Sequence, residues 1–296
     1  MIEVSVPASS ANLGSGFDAV AVALDLRMTA RARAGAGPLQ VRVTGSQLPT
    51  HGGLAERVRA GMALIAEDPK SFAFEIDIHN DIPLGAGLGS SAAALLCGMT
   101  IANRARGSVV SREEMLGLLV RAEGHADNAA AALYGGLCFV LQEGPHLCAL
   151  PLPVPEALRC TLVVPDRPLD TAAARRALPA SYARADVGRS LQRASMLAAC
   201  LASGRLARLD LATRDCVHQP YRAALFPGLS EALEQSSAGV HVVLSGAGPS
   251  VLLLSEGGAG DAPDRVAACF RRAGVGARIV PTAIASQGLL VTEATA

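Results

Sequence analysis

The sequence predicts an α+β protein of two subdomains, and three observations carry that prediction. Alternating apolar residues predict strands in both halves of the chain, and alanine- and leucine-rich runs between them predict helices. The closely spaced prolines of PLPVP, residues 151–155, disfavour both helix and sheet and mark the join. We therefore place the subdomains at residues 1–153 and 154–296.

The first elements of the chain are strands. IEVSV predicts a short strand that stops at Pro7, and residues 19–26 and 39–45 predict two more. SFAFEIDI, residues 71–78, alternates most regularly, with apolar side chains on one face and acidic ones on the other. It leads directly into PLGAGLGSSAAA, residues 83–94, a glycine-rich loop that opens a helix.

Two helices and a strand follow this loop in the first half. Ser111 and Glu114 have the spacing of a capping box, and apolar residues at helical spacing then continue to Gly124. A second, alanine-rich helix ends at Gly135 and Gly136, before the strand-like LCFVL.

The second half repeats the mixture of strands and helices. It begins with the strand CTLVVP and continues with several helices between about 171 and 236. HVVLS and SVLLLS predict paired strands, and a helix near 263–273 precedes a last strand at ARIVP.

Composition limits the function classes. The 26 basic residues balance the 26 acidic ones and Trp is absent, which argues against a nucleic-acid partner and favours small molecules or the protein itself. Seven scattered cysteines without a CxxC pair predict reduced core thiols in the cytoplasm. No apolar run approaches the ~20 residues that cross a bilayer, so we expect a soluble, unexported protein without a membrane partner.

The glycine-rich loop has the chemistry of an anion site. Unpaired N–H groups at a helix N-terminus attract phosphate, glycines at 85, 87 and 89 would let it approach the backbone, and a serine could bind phosphate or Mg²⁺. The loop is not a Walker A motif, because the single lysine, Lys70, precedes it. It is not the Rossmann fingerprint, which needs glycine where Ser90 stands. On this pattern alone, a phosphate site and a plain structural turn remain equally good interpretations.

Three separated blocks resemble the GHMP kinases. PLGAGLGSSAA resembles the phosphate-binding motif of that family, PASSANLGSGFD (7–18) its first motif, and LSGAGPSVLLL (244–254) its third. EGHADN at 123–128 and the pattern formed by Thr171, Arg175, Leu178 and Pro179 are similar to the homoserine kinase branch. The resemblance implies an N-terminal subdomain of the ribosomal-protein-S5 type, a ferredoxin-like C-terminal subdomain, and an active site in the cleft between them.

The resemblance also implies a reaction and a set of site residues. It implies transfer of the γ-phosphoryl group of ATP to the hydroxyl of L-homoserine, giving O-phospho-L-homoserine for threonine biosynthesis, with Ser91 and Glu123 holding Mg²⁺. The implied catalytic residues are Ser91, Glu123, Asn128 and Arg175. The implied ATP contacts are Pro83, Leu84, Gly85, Ala86, Gly87, Leu88, Gly89, Ser90, Ser91 and Ala92. The implied substrate contacts are Asn12, Asp18, His125, Asp127, Thr171, Arg175, Arg222, Gly246 and Gly248.

Several alternatives stay open at this point. The acceptor could be another hydroxylated molecule such as L-threonine, or the chain could bind a nucleotide or metabolite without catalysis. Asp127 could act as a general base, although a carboxylate that binds the substrate ammonium is a poor one. The segment expected to hold adenine, residues 48–66, lacks the family's usual asparagine-led form. A homodimer is a family expectation.

Overall fold

The computed structural model describes residues 1–44, 53–66, 68, 72–144 and 146–293. Its strands are β1 (Ile2–Ala11), β2 (Val20–Ala34), β3 (Gln40–Thr44), β4 (Phe74–Asn80), β5 (Leu137–Glu143), β6 (His146–Leu152), β7 (Leu158–Pro165), β8 (Val240–Leu244), β9 (Val251–Glu256), β10 (Ala277–Thr282) and β11 (Leu290–Glu293). Its α-helices are α1 (Gly53–Ala63), α2 (Ser90–Ala105), α3 (Arg112–Glu123), α4 (Asp127–Tyr134), α5 (Thr171–Arg176), α6 (Arg184–Ser203), α7 (Leu209–Ala212), α8 (Gln219–Ala223), α9 (Leu229–Leu233) and α10 (Ala262–Arg272). Among these described helices, none combines the length and the apolar character needed to cross a membrane.

Seven of the described strands form one sheet. Strands β11, β1, β2, β4 and β3 lie side by side in that order, β5 adds to β2, and β6 pairs with β5. The prediction that β1 stops at Pro7 is wrong, because the strand continues to Ala11. Its register against β2 shifts between Pro7 and Ala8. That irregularity accommodates a residue without an N–H to donate.

Helices α2 and α4 pack on β1 and β2, and α1 packs on α2. The contact between α1 and α2 is unusually close. A Cβ on Gly61 would lie 2.1 Å from the Leu95 carbonyl oxygen, and a Cβ on Gly98 would lie 2.0 Å from that of Val58. Glycine at both positions therefore lets the two helix backbones touch, which fixes α1 against α2.

The capping box predicted for α3 is confirmed. The hydroxyl of Ser111 accepts the Glu114 N–H at 3.2 Å, and the Glu114 carboxylate accepts the Ser111 N–H at 2.8 Å. The helix ends at Glu123, and Gly124 follows in the left-handed conformation with φ +85°. This stop puts Glu123 in the last turn, directly before the turn into α4.

The second sheet contains β10, β7, β9 and β8 in that order, and all of its strand pairs are antiparallel. The first of these strands in the chain, β7, lies between the fourth and the third, which is the order of the expected ferredoxin-like subdomain. The predicted pairing of HVVLS with SVLLLS is confirmed by the β8–β9 ladder. Helix α10 packs on β7 and β10.

The chain passes from the large sheet to the small one between β6 and β7, and later returns. After β10 it forms β11, which the sequence did not predict, and β11 pairs with β1 across residues 2–5 and 290–293. Its four residues are too few to show a periodic pattern. The division at residue 153 stays a prediction, and β11 belongs to the large sheet although it lies in the second half of the chain.

The expectation that all seven cysteines are core thiols needs one correction. Five are buried, Cys216 is partly buried, and Cys148 is exposed. Cys148 lies on β6, which pairs on one side with β5. Along β6 the side chains are either partly buried or exposed, and none is fully buried, so Cys148 lies outside the core.

Candidate active site

The motifs singled out by the sequence meet in one cleft. A cavity of about 220 Å³ lies between the loop after β4, the turn that follows β1, the turn between α3 and α4, the start of α5 and the loop between β8 and β9. All of the predicted site residues line this cavity except Pro83, Leu84, Ala86 and Gly248. Ala86 and Gly248 lie behind the surface, where the two glycine-rich loops contact each other.

The glycines of the first loop serve contacts with the protein itself. Gly85, Gly87 and Gly89 all have positive φ, between +61° and +75°. A Cβ on Gly87 would lie 2.2 Å from the carbonyl oxygen of Ser245, and one on Gly89 would lie 2.1 Å from the Ser9 hydroxyl. The sequence predicts that the missing side chains let a phosphate approach the backbone, and this stays a prediction. In the structure they allow the loop to lie against β1 and the β8–β9 loop.

The N-terminus of α2 opens into the cavity without a cap. Gly89 is the N-cap residue, no side chain caps the helix, and the first turn contains no acidic residue. The N–H of Ala93 donates to the Gly89 carbonyl at 3.0 Å, which leaves the N–H groups of residues 90–92 without an acceptor inside the helix. Such a terminus stabilises an anion through its N–H groups and its dipole.

Beside this terminus lies a cluster of Ser91, Glu123 and Arg57. Ser91 Oγ donates to Glu123 Oε1 at 2.8 Å, and Arg57 Nη1 donates to the same oxygen at 3.3 Å. The side chain of Glu123 is 10% exposed. The sequence did not single out Arg57, because an arginine on a polar helix is ordinarily a solvated surface residue.

A magnesium ion fits the Ser91–Glu123 pair. In the part of the chain that the structure describes, no group of three or more His, Cys, Asp or Glu residues could hold a metal ion. Mg²⁺ does not need such a cage, since it usually combines one or two protein oxygen ligands with phosphate oxygens and water. The carboxylate of Glu123 and the hydroxyl of Ser91, next to a helix N-terminus that suits phosphate, satisfy that requirement.

On the opposite side of the cavity, Asn12 joins the first motif to the third. Its backbone is left-handed, with φ +74°, a conformation that asparagine tolerates. Its Nδ2 donates to the Gly246 carbonyl at 3.0 Å, and its Oδ1 accepts the Asp18 N–H at 3.0 Å. Asp18 in turn pairs with Arg175 at 3.4 Å, and both of these side chains are 39% exposed.

Arg222 is the buried cation of the site, with 2% of its surface exposed. Its Nε donates to the Ala174 carbonyl at 3.3 Å and its Nη1 to that of Gly246 at 3.1 Å, and the guanidinium lies 5.3 Å from the Phe17 ring centre. Burial, followed by the charge of Arg175, lowers the pKa of Arg222. An arginine stays charged under such conditions, and its Nη2 has no partner among the described residues, so it can bind a carboxylate.

The sequence did not single out His218, which contacts Arg222, or Asp215, which lies beside His218. His218 is fully buried, its Nε2 contacts the Gly14 carbonyl at 2.7 Å, and its Nδ1 lies 3.3 Å from Arg222 Nη1. Burial lowers the pKa of His218, so the imidazole is neutral, donates from Nε2 and accepts from the guanidinium at Nδ1.

The side chain of Asp215 fixes the start of α8. Its carboxylate accepts the N–H groups of Val217, His218 and Gln219 at 2.6–2.9 Å. The sequence did contain a signal for this arrangement, since an aspartate precedes His218 by three residues and Pro220 follows in the first helical turn.

The turn into α4 supplies a third polar group. Asp127 Oδ1 accepts the Asn128 N–H at 2.7 Å and lies 3.2 Å from His125 Nδ1. Burial by itself lowers the pKa of His125, but the hydrogen bond and charge of Asp127 outweigh it, and the net direction is upward. Asn128 Oδ1 accepts the hydroxyl of Ser9 at 2.8 Å, which leaves its amide nitrogen available to the cleft.

Comparisons with known proteins show what this chain is similar to. The family model for the GHMP kinases N terminal domain matches residues 55–136, and the model for GHMP kinases C terminal matches residues 196–275. The chain is 39% identical over 256 residues to the homoserine kinase of Thermus thermophilus, covering 86% of each, and 38% identical to that of Solibacter usitatus, covering 98% of this chain and 97% of the relative.

The crystal structure of homoserine kinase from Cytophaga hutchinsonii superimposes with a TM-score of 0.77 at 26% identity, over 98% of this chain and 97% of that one. The L. major mevalonate kinase, at 16% identity and a TM-score of 0.66 over 94% of this chain and 95% of that one, shares the fold.

Proposed function

The chain belongs to the GHMP kinase family, and on that basis we propose that it transfers the γ-phosphoryl group of ATP to the hydroxyl of L-homoserine. One observation carries the proposal: the uncapped N-terminus of α2 and the buried guanidinium of Arg222 line the same cavity. The first suits phosphates and the second suits the carboxylate of an amino acid. The product is O-phospho-L-homoserine, an intermediate of threonine biosynthesis.

In the proposed complex, backbone N–H groups at residues 90–92 bind the ATP phosphates, and Ser91 and Glu123 bind Mg²⁺. When bound, the ion neutralises charge on the phosphates. The carboxylate of Glu123 is held in place by the hydroxyl of Ser91, so both groups are positioned before the nucleotide arrives. Positioning of this kind is the main contribution a protein makes to phosphoryl transfer.

The amino-acid end of homoserine lies on the other side of the proposed complex. Arg222 binds the carboxylate, with Arg175 nearby, and Asp127 together with Asn12, Asp18 and His125 binds the ammonium. Thr171 and Gly246 complete this wall of the cavity. The support for Arg222 is its burial and its free Nη2, because a charged group that is removed from water must find a partner of opposite charge.

In the transfer step, the substrate hydroxyl oxygen forms a bond to the γ-phosphorus while the bond from that phosphorus to the bridging oxygen of ADP breaks. One proton is released from the hydroxyl. Asn128 is the residue that we propose orients the hydroxyl, through its amide nitrogen. Asp127 is a poor general base, because its carboxylate already accepts the Asn128 N–H and contacts His125.

The remaining parts of the proposal concern the setting of the enzyme. We assign it to the cytoplasm, where a reducing environment suits seven free cysteines, and we assign Mg²⁺ as its metal. A homodimer remains a family expectation. Cell fractionation tests the location, replacement of Mg²⁺ by other divalent ions tests the metal, and sedimentation tests the oligomeric state.

An ADP-release assay with a panel of acceptors tests the reaction itself. L-Homoserine, L-threonine, L-serine, mevalonate and galactose are each supplied with Mg·ATP. We expect turnover to be highest with L-homoserine. Turnover with another acceptor and none with homoserine would overturn the assignment while leaving family membership intact.

A further inference from the structure

Arg57 presents a cation to the carboxylate to which the proposed function assigns Mg²⁺. The Nη1 of Arg57 and the Oγ of Ser91 donate to the same oxygen, Oε1 of Glu123. The arginine side chain is 50% exposed, whereas that of Glu123 is 10% exposed. In this ion pair the carboxylate of Glu123 is enclosed by protein, whereas the guanidinium of Arg57 lies at the surface and can still move.

The backbone position of Arg57 is fixed by the helix packing. Val58, the next residue, has its carbonyl oxygen against Gly98 of α2, and Gly61 lies one turn further along, against Leu95. Because both contacts are between backbones, α1 cannot shift away from α2 without losing them. Any rearrangement at Glu123 must come from the flexible side chain of Arg57 and not from its helix.

The guanidinium and a metal ion would compete for the negative charge of Glu123. A Mg²⁺ ligand lies about 2.1 Å from the ion, so an ion on Oε1 would be within roughly 5 Å of the Arg57 nitrogen. Two cations at that separation repel each other, and the enclosed position of Glu123 weakens screening by water. A metal ion on the carboxylate therefore weakens the hold of Glu123 on Arg57.

The phosphate side of the cavity offers the arginine another partner. Among the described residues that line the cavity, the arginines are Arg175 and Arg222, and both lie on the amino-acid side. The glycine-rich loop and the first turn of α2 contain no lysine or arginine. Polyphosphate bound there would be more negative than Mg²⁺ alone neutralises, which favours a nearby guanidinium.

We propose that Arg57 exchanges Glu123 for the phosphates of ATP when the metal and the nucleotide bind. It holds the carboxylate and opposes binding of a free divalent cation, and it then turns toward the phosphates as Mg·ATP arrives. The enzyme thereby takes its metal together with the nucleotide. This inference rests on the proposed function, in which Glu123 binds the metal.

Metal binding without turnover tests the exchange. Mn²⁺, whose free ion is counted by electron paramagnetic resonance, replaces Mg²⁺ and is titrated into the protein in the absence of nucleotide. In Arg57→Gln we expect Mn²⁺ affinity to rise about threefold to tenfold, because a repelling charge is gone. Metal-free ATP, measured by calorimetry in the presence of EDTA, should bind the same variant about threefold to tenfold more weakly.

Two matched variants separate this role from a general charge effect. Arg59 lies on the same helix, and its side chain contacts Glu56 at 3.5 Å. Arg59→Gln should leave the affinities for Mn²⁺ and for metal-free ATP within about twofold of the wild type. Arg57→Lys keeps the charge and should restore most of the opposition to Mn²⁺. Circular dichroism checks that all variants are folded.

The possible failures are distinguishable. The proposed exchange is wrong if Arg57→Gln leaves the Mn²⁺ affinity unchanged, or if Arg59→Gln raises that affinity equally. In either case the proposed function still stands, provided that Glu123→Gln loses Mn²⁺ binding in the presence of ATP. If Glu123→Gln keeps full Mn²⁺ binding with ATP present, then the metal assignment fails and the inference about Arg57 fails with it.

Discussion

The two walls of the cleft are built in different ways. The wall that we propose binds phosphate, here called the phosphate wall, consists of Gly85 and residues 87–92, which offer chiefly backbone N–H groups and include no lysine. The amino-acid wall is assembled from side chains in distant parts of the chain, and two of them, Asn12 in the first motif and Arg222 on α8, are buried. Both groups donate to the single carbonyl of Gly246.

This difference predicts different responses to mutation. A backbone site depends on loop conformation, so it is sensitive to a change of shape and tolerant of many side chains. A site made of buried charges depends on each partner, because removal of one leaves another unpaired in a dry environment. The variants below should separate the two walls by which kinetic or thermodynamic quantity changes.

The largest effect is expected from Glu123→Gln. The substitution removes the charge proposed to hold the metal, so kcat should fall about 100-fold or more while the KM for homoserine changes little. Steady-state ADP release measures both constants. Glu113→Gln, at the other end of the same helix, is the control and should behave as the wild type. A large rise in the KM for homoserine would place Glu123 on the amino-acid wall.

Arg222→Lys should show the opposite kinetic pattern. Lysine keeps the charge but loses the planar fork and its bonds to Ala174 and Gly246, so the KM for homoserine should rise about 10- to 100-fold. The KM for ATP should stay within about threefold. Equal changes in both KM values would mean that the two walls are not independent.

Gly89→Ala tests the shape of the phosphate wall. The new Cβ would meet the Ser9 hydroxyl at 2.1 Å at a φ of +70°, so the free energy of unfolding should fall by about 1–3 kcal/mol and ATP binding should weaken. Gly107→Ala is the matched control, since Gly107 has a φ of +82° but no atom within 4 Å of its Cβ position. Urea denaturation compares the two.

The contact at Gly89 can also be tested by rescue. Adding Ser9→Gly to Gly89→Ala removes the hydroxyl that the new methyl group meets, so part of the lost stability should return. If Gly89→Ala lowers the free energy of unfolding no more than Gly107→Ala does, the contact with Ser9 does not explain why glycine is needed at position 89.

The smallest effect is expected in the pH dependence of stability. Burial lowers the pKa of His218 from its usual value of 6.5, so below that pH the unfolded chain takes up a proton that the folded protein refuses. This contribution to stability is complete above pH 6.5 and is lost as the pH falls. Below pH 6.5, the free energy of unfolding should therefore fall more steeply with decreasing pH in the wild type than in His218→Gln, by up to about 1.4 kcal/mol per pH unit.

Urea denaturation at a series of pH values measures the two slopes. The pKa of His241 is also lowered by burial, but it contributes equally to both proteins and cancels in the difference. Equal slopes for the wild type and His218→Gln would mean that His218 is protonated in the folded protein.

The sequence predicted the phosphate wall better than the amino-acid wall, for a physical reason. The loop at 83–94, the capping box at Ser111 and the stop at Gly124 each depend on residues within a few positions, so their chemistry is visible locally. Resemblance to the family supplied Arg222 and Asn12, but no local pattern distinguishes a buried arginine from a surface one.

Three of the residues that the sequence missed have a partner far away in the chain, whereas Asp215 binds N–H groups two to four positions ahead of it. His218 contacts Gly14, Ser9 contacts Asn128, and Arg57 contacts Glu123. These contacts exist because two sheets and their helices bring the segments together. The contacts of two loop glycines were missed for the same reason, since Gly87 accommodates an atom of the β8–β9 loop and Gly89 accommodates one of β1.

The position of strand β11 affects how the protein folds during its synthesis on the ribosome. Because it pairs with β1, the outer edge of the large sheet stays open until β2 through β10 have been synthesised. An open strand edge is a template for pairing with other chains, so the nascent polypeptide carries an aggregation hazard for most of its synthesis. We expect chains stalled after β10 to be cut by protease near β1 faster than chains stalled beyond β11, and equal cutting would show that the edge is protected by other means.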